Sequence, residues 1–463
     1  VVLSGCFSVG PDYETPDFDT PEAWGAVLEG GLTAEELDPE VLATWWTTLG
    51  DERLNTLIDR AIEANLDLRT AEAQLRQARA QRGVAGSERF PTIGAGASVN
   101  RADQSDNVLP LGTTTLYSTS FDAAWELDVF GGRRRAIEAA DADLLAAQEA
   151  RRDVLISVLA EVAVNYVELR TFQLQLEVAQ KNLDTQVETL EIVQAQYDAG
   201  AVTGLDLNRA VSNVSNTRSE IPRLNQSVAE IKNRLAVLIG EPPGTLNTEL
   251  EQQEPLPVPE TRVAVGIPAE TLRRRPDVRR AERQLAAETA RIGVATAELY
   301  PQFRLNGTIG LESLSLSSLT ESDSRAYGVG AGVRWNVFNG GRVRQQIEVQ
   351  NAIQEQAMVR YEASILTALE EVDNAITALT EEQLRYRELS NSAEAALRAA
   401  EIAEMRYEAG ATDFLSVLDA QRSLLSVQSQ QASSEGTIVS NLVRLYKALG
   451  GGWIPEQPEQ PEA

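Results

Sequence analysis

The sequence predicts a mixed α and β membrane protein. Four amphipathic strands per chain enter a transmembrane β-barrel shared between copies, and long helices continue it as a coiled coil. Three observations carry this reading. Segments in the second half restate segments of the first at an offset of 210 residues. Four segments alternate apolar and polar residues, each close to the roughly 9 to 11 residues that cross a bilayer at a tilt. Two stretches place apolar residues at intervals of seven over many turns, the mark of left-handed coiled-coil packing.

Composition removes most other classes. The chain has 463 residues, with 69 Asp plus Glu against 41 Lys plus Arg, a net charge of -28. A nucleic-acid partner held through its phosphates is excluded by that balance. There is no His, so the usual proton shuttle and the usual metal ligand are both missing. Ser/His/Asp and Cys/His arrangements are therefore impossible, and no phosphate loop of the GKS or GKT kind occurs. The chain reads as a non-enzyme with no metal and no cofactor. No segment approaches the roughly 20 apolar residues of a spanning helix, so any crossing of a membrane is made by strands.

The N-terminal segment and linker cover 1–50. The one cysteine, Cys6, ends the stretch VVLSGC, which looks like the tail of a secretory signal cut at a lipobox. Covalent lipid on Cys6 is the expectation, with an ordinary buried cysteine as the alternative. Phe7 and Ser8 follow where an Asp would resemble an inner-membrane retention signal, so the outer membrane is the expected destination. The Pro- and Gly-rich residues after it are expected to wrap the long helices or to hang free.

The first repeat covers 51–240 and the second 273–450. Asp67, Ala71, Glu72 and Pro91 return as Asp277, Ala281, Glu282 and Pro301, and Trp125 returns as Trp335. Similarity over this length means two copies of one large unit. Each copy opens with a helix, 51–89 or 273–299, stopped before Pro91 or Pro301. Two strands follow, 92–101 and 117–129 in the first copy, 302–312 and 326–338 in the second. In 117–129, Tyr117, Phe121, Trp125 and Val129 share one face, while Asp122, Glu126 and Asp128 share the other. A soluble sandwich is the alternative, but no other strand pair is available to cover the apolar faces. Four strands cannot close a barrel and open edges in lipid leave backbone groups unsatisfied, so copies must join. Three copies give twelve strands; two give the smallest barrel, its lumen filled by side chains. Asp122, Glu126 and Asp128 are expected to line the lumen, a solvated rim being the alternative.

The long helices are 132–199 and 341–409. Leu155, Val162, Leu169, Leu176, Leu183 and Leu190 fall at intervals of seven, and Ile365, Val372 and Leu379 keep that register in the second copy. A helix of 132–199 is about 100 Å long at 1.5 Å per residue. Returning helices, 205–239 and 413–449, bring the chain back, and Pro222 is expected to bend the first. Between helix and return come QYDAGAVTGLDLNRA at 196–210 and RYEAGATDFLSVLDA at 406–420. Gly200 and Gly410 sit where a helix must end in the left-handed conformation, and Thr203 or Thr412 can cap the helix that returns. A Pro-rich linker, 241–272, joins the copies, and the tail 451–463 reads as disordered.

The lipobox Cys6, the two copies with this element order, the segments WELDVFGGR and WNVFNGGR, and the tip sequence RYEAGATDFLSVLDAQRSLL together resemble outer-membrane efflux channels of the TolC and OprM type, in particular their lipoprotein branch called NodT. The resemblance covers nearly the whole chain. It implies a homotrimer, with a twelve-stranded barrel in outer-membrane lipid continued by a helical tunnel through the periplasm. It also implies docking onto a periplasmic adaptor, or membrane fusion, protein and an inner-membrane pump of the resistance-nodulation-division type, for export of drugs and other small molecules. A type I protein-secretion duct of the same fold and a lipid-anchored coiled-coil adaptor remain as alternatives. By position in the motif, Asp206, Tyr407 and Asp419 match residues that gate or narrow the tip in this family. The sequence departs at Thr412, where some members have Arg, and at Ser416, where they have an acid, so Arg406 is a candidate for the inter-helix link. Asp206 also lies three residues after Thr203 and could be the acid of a capping box. Asp413 reads as a helix-start residue, and Asp419 lies too deep in its helix for capping, favouring a pore-facing acidic ring.

Overall fold

The computed structural model describes residues 8–35, 38–103, 113–256 and 263–454. Cys6, part of the linker and residues 455–463 of the tail lie outside the described residues. In chain order come β1 (Leu32–Thr33), α1 (Pro39–Ala43), α2 (Glu52–Ala64), α3 (Leu66–Ser87), β2 (Thr92–Asp103), β3 (Thr113–Leu127), α4 (Gly132–Asp198) and α5 (Gly204–Leu238). The second half runs β4 (Val263–Ala264), α6 (Pro268–Arg274), α7 (Pro276–Ala297), β5 (Gln302–Ser313), β6 (Arg325–Arg334), α8 (Arg342–Glu408) and α9 (Phe414–Ala448). The chain divides into two compact units. One comprises 1–17, 74–148 and 280–363; the other comprises 18–73, 149–279 and 364–463.

The first unit holds an antiparallel sheet of order β2-β3-β5-β6. Its register puts Asp122 between Gly94 and Thr308, and Glu126 opposite Arg304. That face is polar throughout: Asp122 accepts from the Thr308 hydroxyl, and Arg304 pairs with Glu126 at 3.3 Å. The other face is apolar and open, with Phe121, Ile309 and Val329 exposed by 62%, 65% and 90%. Glycines 328, 330 and 332 of β6 all fall on the polar face, opposite Thr308, Asn306 and Arg304.

Strand 117–129 ends earlier than its alternation predicts. Val129 N–H turns back onto the Leu127 carbonyl at 2.9 Å, and Val337 N–H onto that of Trp335 at 3.2 Å, so both ladders stop before the alternation does. Asp128 is consequently not a strand residue. Its carboxylate accepts from the amides of Arg133 and Arg134, at 3.0 and 2.9 Å, and anchors the start of α4, in place of the expected position on a lumen-facing strand.

The second unit is built around a large apolar core. Leu54, Leu57 and Ile58 of α2 pack with Leu159, Val162 and Leu169 of α4 and with Leu442 and Leu445 of α9. Trp45, 1% exposed, stacks on Tyr446 at 5.4 Å. Residues 38–49 are thus core-forming and do not merely wrap or hang. The parallel pair β1-β4 joins Leu32 to Val263. Arg170, whose side chain is fully buried, holds the linker through the Gln252 carbonyl at 2.8 Å and Glu254 at 2.7 Å.

The helices expected at 51–89 and 273–299 are each broken, and at equivalent positions. Asn65 leaves the helical region, φ -58 and ψ 133, and its side chain accepts from the amides of Asp67 and Leu68 to start α3. In the second copy Arg275 is extended because Pro276 follows. α5 continues through Pro222 as a single helix.

Candidate functional site

Both tips are built alike by the backbone. Gly200 has φ 75 and Gly410 φ 69, and each closes the preceding helix with a pair of bonds. Gly200 N–H meets the Tyr197 carbonyl at 2.9 Å and Ala201 N–H that of Gln196 at 2.8 Å; Gly410 and Ala411 repeat these with Tyr407 and Arg406 at 2.9 and 2.8 Å. A Cβ at either glycine would meet nothing within 4 Å, so only the backbone angle calls for Gly.

The returning helices are capped differently. Thr203 caps α5 in a capping box: its Oγ1 donates to Asp206 Oδ2 at 2.7 Å, while Asp206 N–H bonds back to it at 3.4 Å. Of the two roles open to Asp206, this geometry is the capping one, and Arg209 lies 3.6 Å from its other oxygen. The cap of α9 is Asp413, not the expected Thr412, because the offset of 210 sets Asp413 at the Thr203 position. The Ser416 hydroxyl and amide, donating at 2.8 and 3.2 Å, hold the Asp413 carboxyl below the usual carboxylate range.

Between the tips lies a small apolar cluster of Val193, Ala210, Phe414, Val417 and Leu418. Tyr407 packs on Phe414 at 5.3 Å between ring centroids, and its hydroxyl donates to Gln196 Oε1 at 2.5 Å. Burial, followed by the nearby Asp206 charge, pushes the Tyr407 phenol above its ordinary value, so it remains a neutral donor at physiological pH. This bond ties α8 to α4. Arg406 is exposed and makes no side-chain bond among the described residues, so the link falls to Gln196 and not to Arg406. Asp419 is exposed on α9, away from the buried Val417 and Leu418.

Sequence reasoning missed the polar residues further along these helices. Gln421, 3% exposed, donates to Thr189 and Glu404 at 2.9 Å each, and Arg422 Nε donates to Asn213 at 3.1 Å. The available signal was the spacing of Asn182, Gln186 and Thr189, which occupy seam positions of α4 where apolar residues are expected. In the sheet, Asp122 and Glu126 do lie on the polar face, in hydrogen-bonded pairs with Thr308 and Arg304. Among the described residues no group of acids could hold a metal ion, and no helix is long and apolar enough to cross a membrane.

The model of the outer membrane efflux protein family matches residues 57–241 and 267–451, the same two spans that the duplication marks out. Nodulation protein T of Rhizobium leguminosarum bv. trifolii is 31% identical over 460 residues, covering 98% of this chain and 96% of its own. The probable efflux pump outer membrane protein SepC of Pseudomonas putida F1 is 31% identical, covering 99% and 97%. The solved outer-membrane channel OprN superposes with a TM-score of 0.91 at 36% identity, covering 97% of this chain and 100% of that one. Matched in both repeats and over nearly its full length, the chain belongs to the outer membrane efflux protein family, whose members are transport channels of the outer membrane and not enzymes.

Proposed function

We propose that three copies of this chain form the outer-membrane duct of a tripartite export system. The carrying observation is the sheet, whose outer strands β2 and β6 have free edges and whose apolar face is open. With four strands alternating in direction, β2 and β6 run oppositely. β6 of one copy can therefore pair antiparallel with β2 of the next, and the ring closes without a mixed pair. Three copies give twelve strands and an open lumen, where two would give one filled by side chains. The glycines of β6 on the polar face keep that lumen wide, and Phe121, Ile309 and Val329 face lipid.

On this reading α4, α5, α8 and α9 of three copies form the periplasmic tunnel, whose tips meet an adaptor protein and, through it, an inner-membrane pump of the resistance-nodulation-division type. Lipid on Cys6 anchors the chain. The efflux pump named for SepC supports small-molecule cargo over a protein-secretion duct. Asp419, exposed and free of capping duties, would recur three times around the axis as an acidic ring that favours cations. Tyr407 bonded to Gln196 holds the two hairpins of each copy together at rest.

Single-channel conductance in a planar bilayer tests this. A small, cation-preferring conductance that loses its selectivity in Asp419→Ala is expected. Failure of the purified protein to insert would overturn the barrel, and unchanged selectivity in the variant would remove Asp419 from the pore.

A further inference from the structure

The buried seam of α4 changes chemistry shortly before the tip. Asn182, Gln186 and Thr189 are 9%, 3% and 8% exposed, and they follow the apolar Ala179 and precede Val193. Most of the polar groups gathered there are paired. Asn182 donates to Gln428 at 2.8 Å, and Gln421 serves Thr189 and Glu404. Gln186 Oε1 is the exception: it is buried and has no hydrogen-bond partner. Leaving a buried acceptor empty is costly, and native structures keep few such groups without a water or ligand to fill them.

Gln186 lines a cavity of about 430 Å³ between α4, α5 and α9, a size that suits small organic molecules. Arg422 lines it too. Its Nε is spent on Asn213, while its terminal amino groups have no protein partner among the described residues. Leu224 and Leu425 supply an apolar wall, and Ser426 stands at the α9 side. The cavity therefore offers an unfilled acceptor, an unfilled cationic fork and an apolar surface.

We infer that this cavity is a binding site for a small amphiphilic anion. An N–H or O–H of the ligand donates to Gln186 Oε1, its carboxylate or sulfonate accepts from Arg422, and its flat apolar body lies against Leu224 and Leu425. All of these residues belong to one chain, so the site does not depend on how many copies assemble. Because α4 and α5 come from the first repeat and α9 from the second, a bound molecule bridges the two hairpins next to the apolar tip cluster. It acts as a brace between them.

Indole-3-acetate has the required N–H, carboxylate and ring, and its labelled form can be followed by equilibrium dialysis against the purified full chain in detergent. One saturable site per chain is expected, with a dissociation constant on the order of 0.1 to 1 mM for a ligand of this size. Gln186→Leu and Arg422→Met should each weaken it at least fivefold. Ser426→Leu should abolish binding by filling space while leaving both polar partners in place, and it decides the matter if the other variants fail to assemble by size-exclusion chromatography. Absence of saturable binding at concentrations tenfold higher would mean that only water occupies the cavity. Equal uptake by wild type and Ser426→Leu would mean partition into detergent or onto the surface. Either result overturns the site.

Discussion

The two repeats place the same bond at the same position with different side chains. In the first, Asn65 Nδ2 donates to the Leu238 carbonyl at 2.8 Å; in the second, Arg275 Nη1 donates to the Ala448 carbonyl, also at 2.8 Å. Asn65 and Arg275 are 210 residues apart, as are Leu238 and Ala448. Both bonds tie the break in the first helical segment to the C-terminal end of the returning helix. Both returning helices close on a left-handed glycine, Gly240 with φ 75 or Gly450 with φ 76. The tryptophans behave alike as well: Trp125 Nε1 donates to the Arg89 carbonyl at 2.9 Å and Trp335 Nε1 to that of Leu299 at 3.0 Å. The difference between Asn65 and Arg275 teaches that the duplication fixes where the backbone must be held, while the chemistry that holds it is free to vary. A neutral amide does it once. A buried guanidinium with two acids does it the other time.

That chemical difference should be measurable. Arg275, 7% exposed in its side chain, also bonds Asp277 and Glu371, at 2.7 and 2.5 Å. Arg275→Met leaves those acids without a partner and should cost about 3 kcal/mol in denaturant unfolding, the low end for a broken buried pair because Glu371 is half exposed. Asn65→Ala loses a cap and one buried hydrogen bond and should cost about 2 kcal/mol. Equal losses would show that the charges around Arg275 add nothing to the shared bond. Acid should separate the copies further. Burial opposes ionisation of Asp277, but its hydrogen bonds and charge contact with Arg275 outweigh burial and hold the carboxyl below its usual range. A depressed folded value contributes stability that is complete above the unfolded carboxylate pKa of about 3.9 and is lost as pH falls through the folded value. The gap between wild type and Asp277→Asn should therefore close below about pH 4. The effect of Asn65→Ala, which involves no titrating group, should not change there.

How much of this could be read beforehand differs from element to element. The heptads of α4 and α8, the alternation of the four strands and the glycines of both tips are periodic or single-residue signals, and the elements lie where they point. The break at Arg275 is written locally by Pro276, yet the one at Asn65 is not: the apolar spacing through Leu57, Ile58, Ala61 and Leu68 runs on across it, and only the bond to Leu238 marks the position. Alternation likewise overshoots at Val129 and Val337, because a residue can keep its polarity phase after the ladder has stopped. Asp128 was misread for that reason. At the tips the Thr203 and Asp206 box is local and legible. Gln196 is not, since an amide on an exposed helix carries no pattern until a tyrosine from the other repeat reaches it.

Where the copies share geometry, equal effects are expected. Gly200→Ala and Gly410→Ala force an alanine into the left-handed region with no steric clash to add, so each should cost about 1 kcal/mol. A clear inequality between them would reveal a load on one tip that the isolated chain does not display.

The smallest expected effect is the most informative about gating. Tyr197 and Tyr407 are equivalent across the offset, as are Gln196 and Arg406. Tyr407 bonds Gln196, but the reciprocal pair is not made: Tyr197 is 44% exposed and its hydroxyl has no partner among the described residues. The tip is therefore tied by one polar link where the duplication could have supplied two. Phe414 explains part of this, because it buries the Tyr407 ring, whereas the equivalent residue beside Tyr197 is Gly204. Tyr407→Phe should weaken the contact of α8 with α4 by about 1 kcal/mol and raise the open fraction of the channel by about fivefold, while Tyr197→Phe should do neither. Comparing their single-channel records with that of Gln196→Ala completes the argument. If Gln196→Ala and Tyr407→Phe open the channel alike and their combination adds nothing, the link is the pair itself. If Tyr197→Phe opens it as readily, the asymmetry seen in one chain is not what holds the tip.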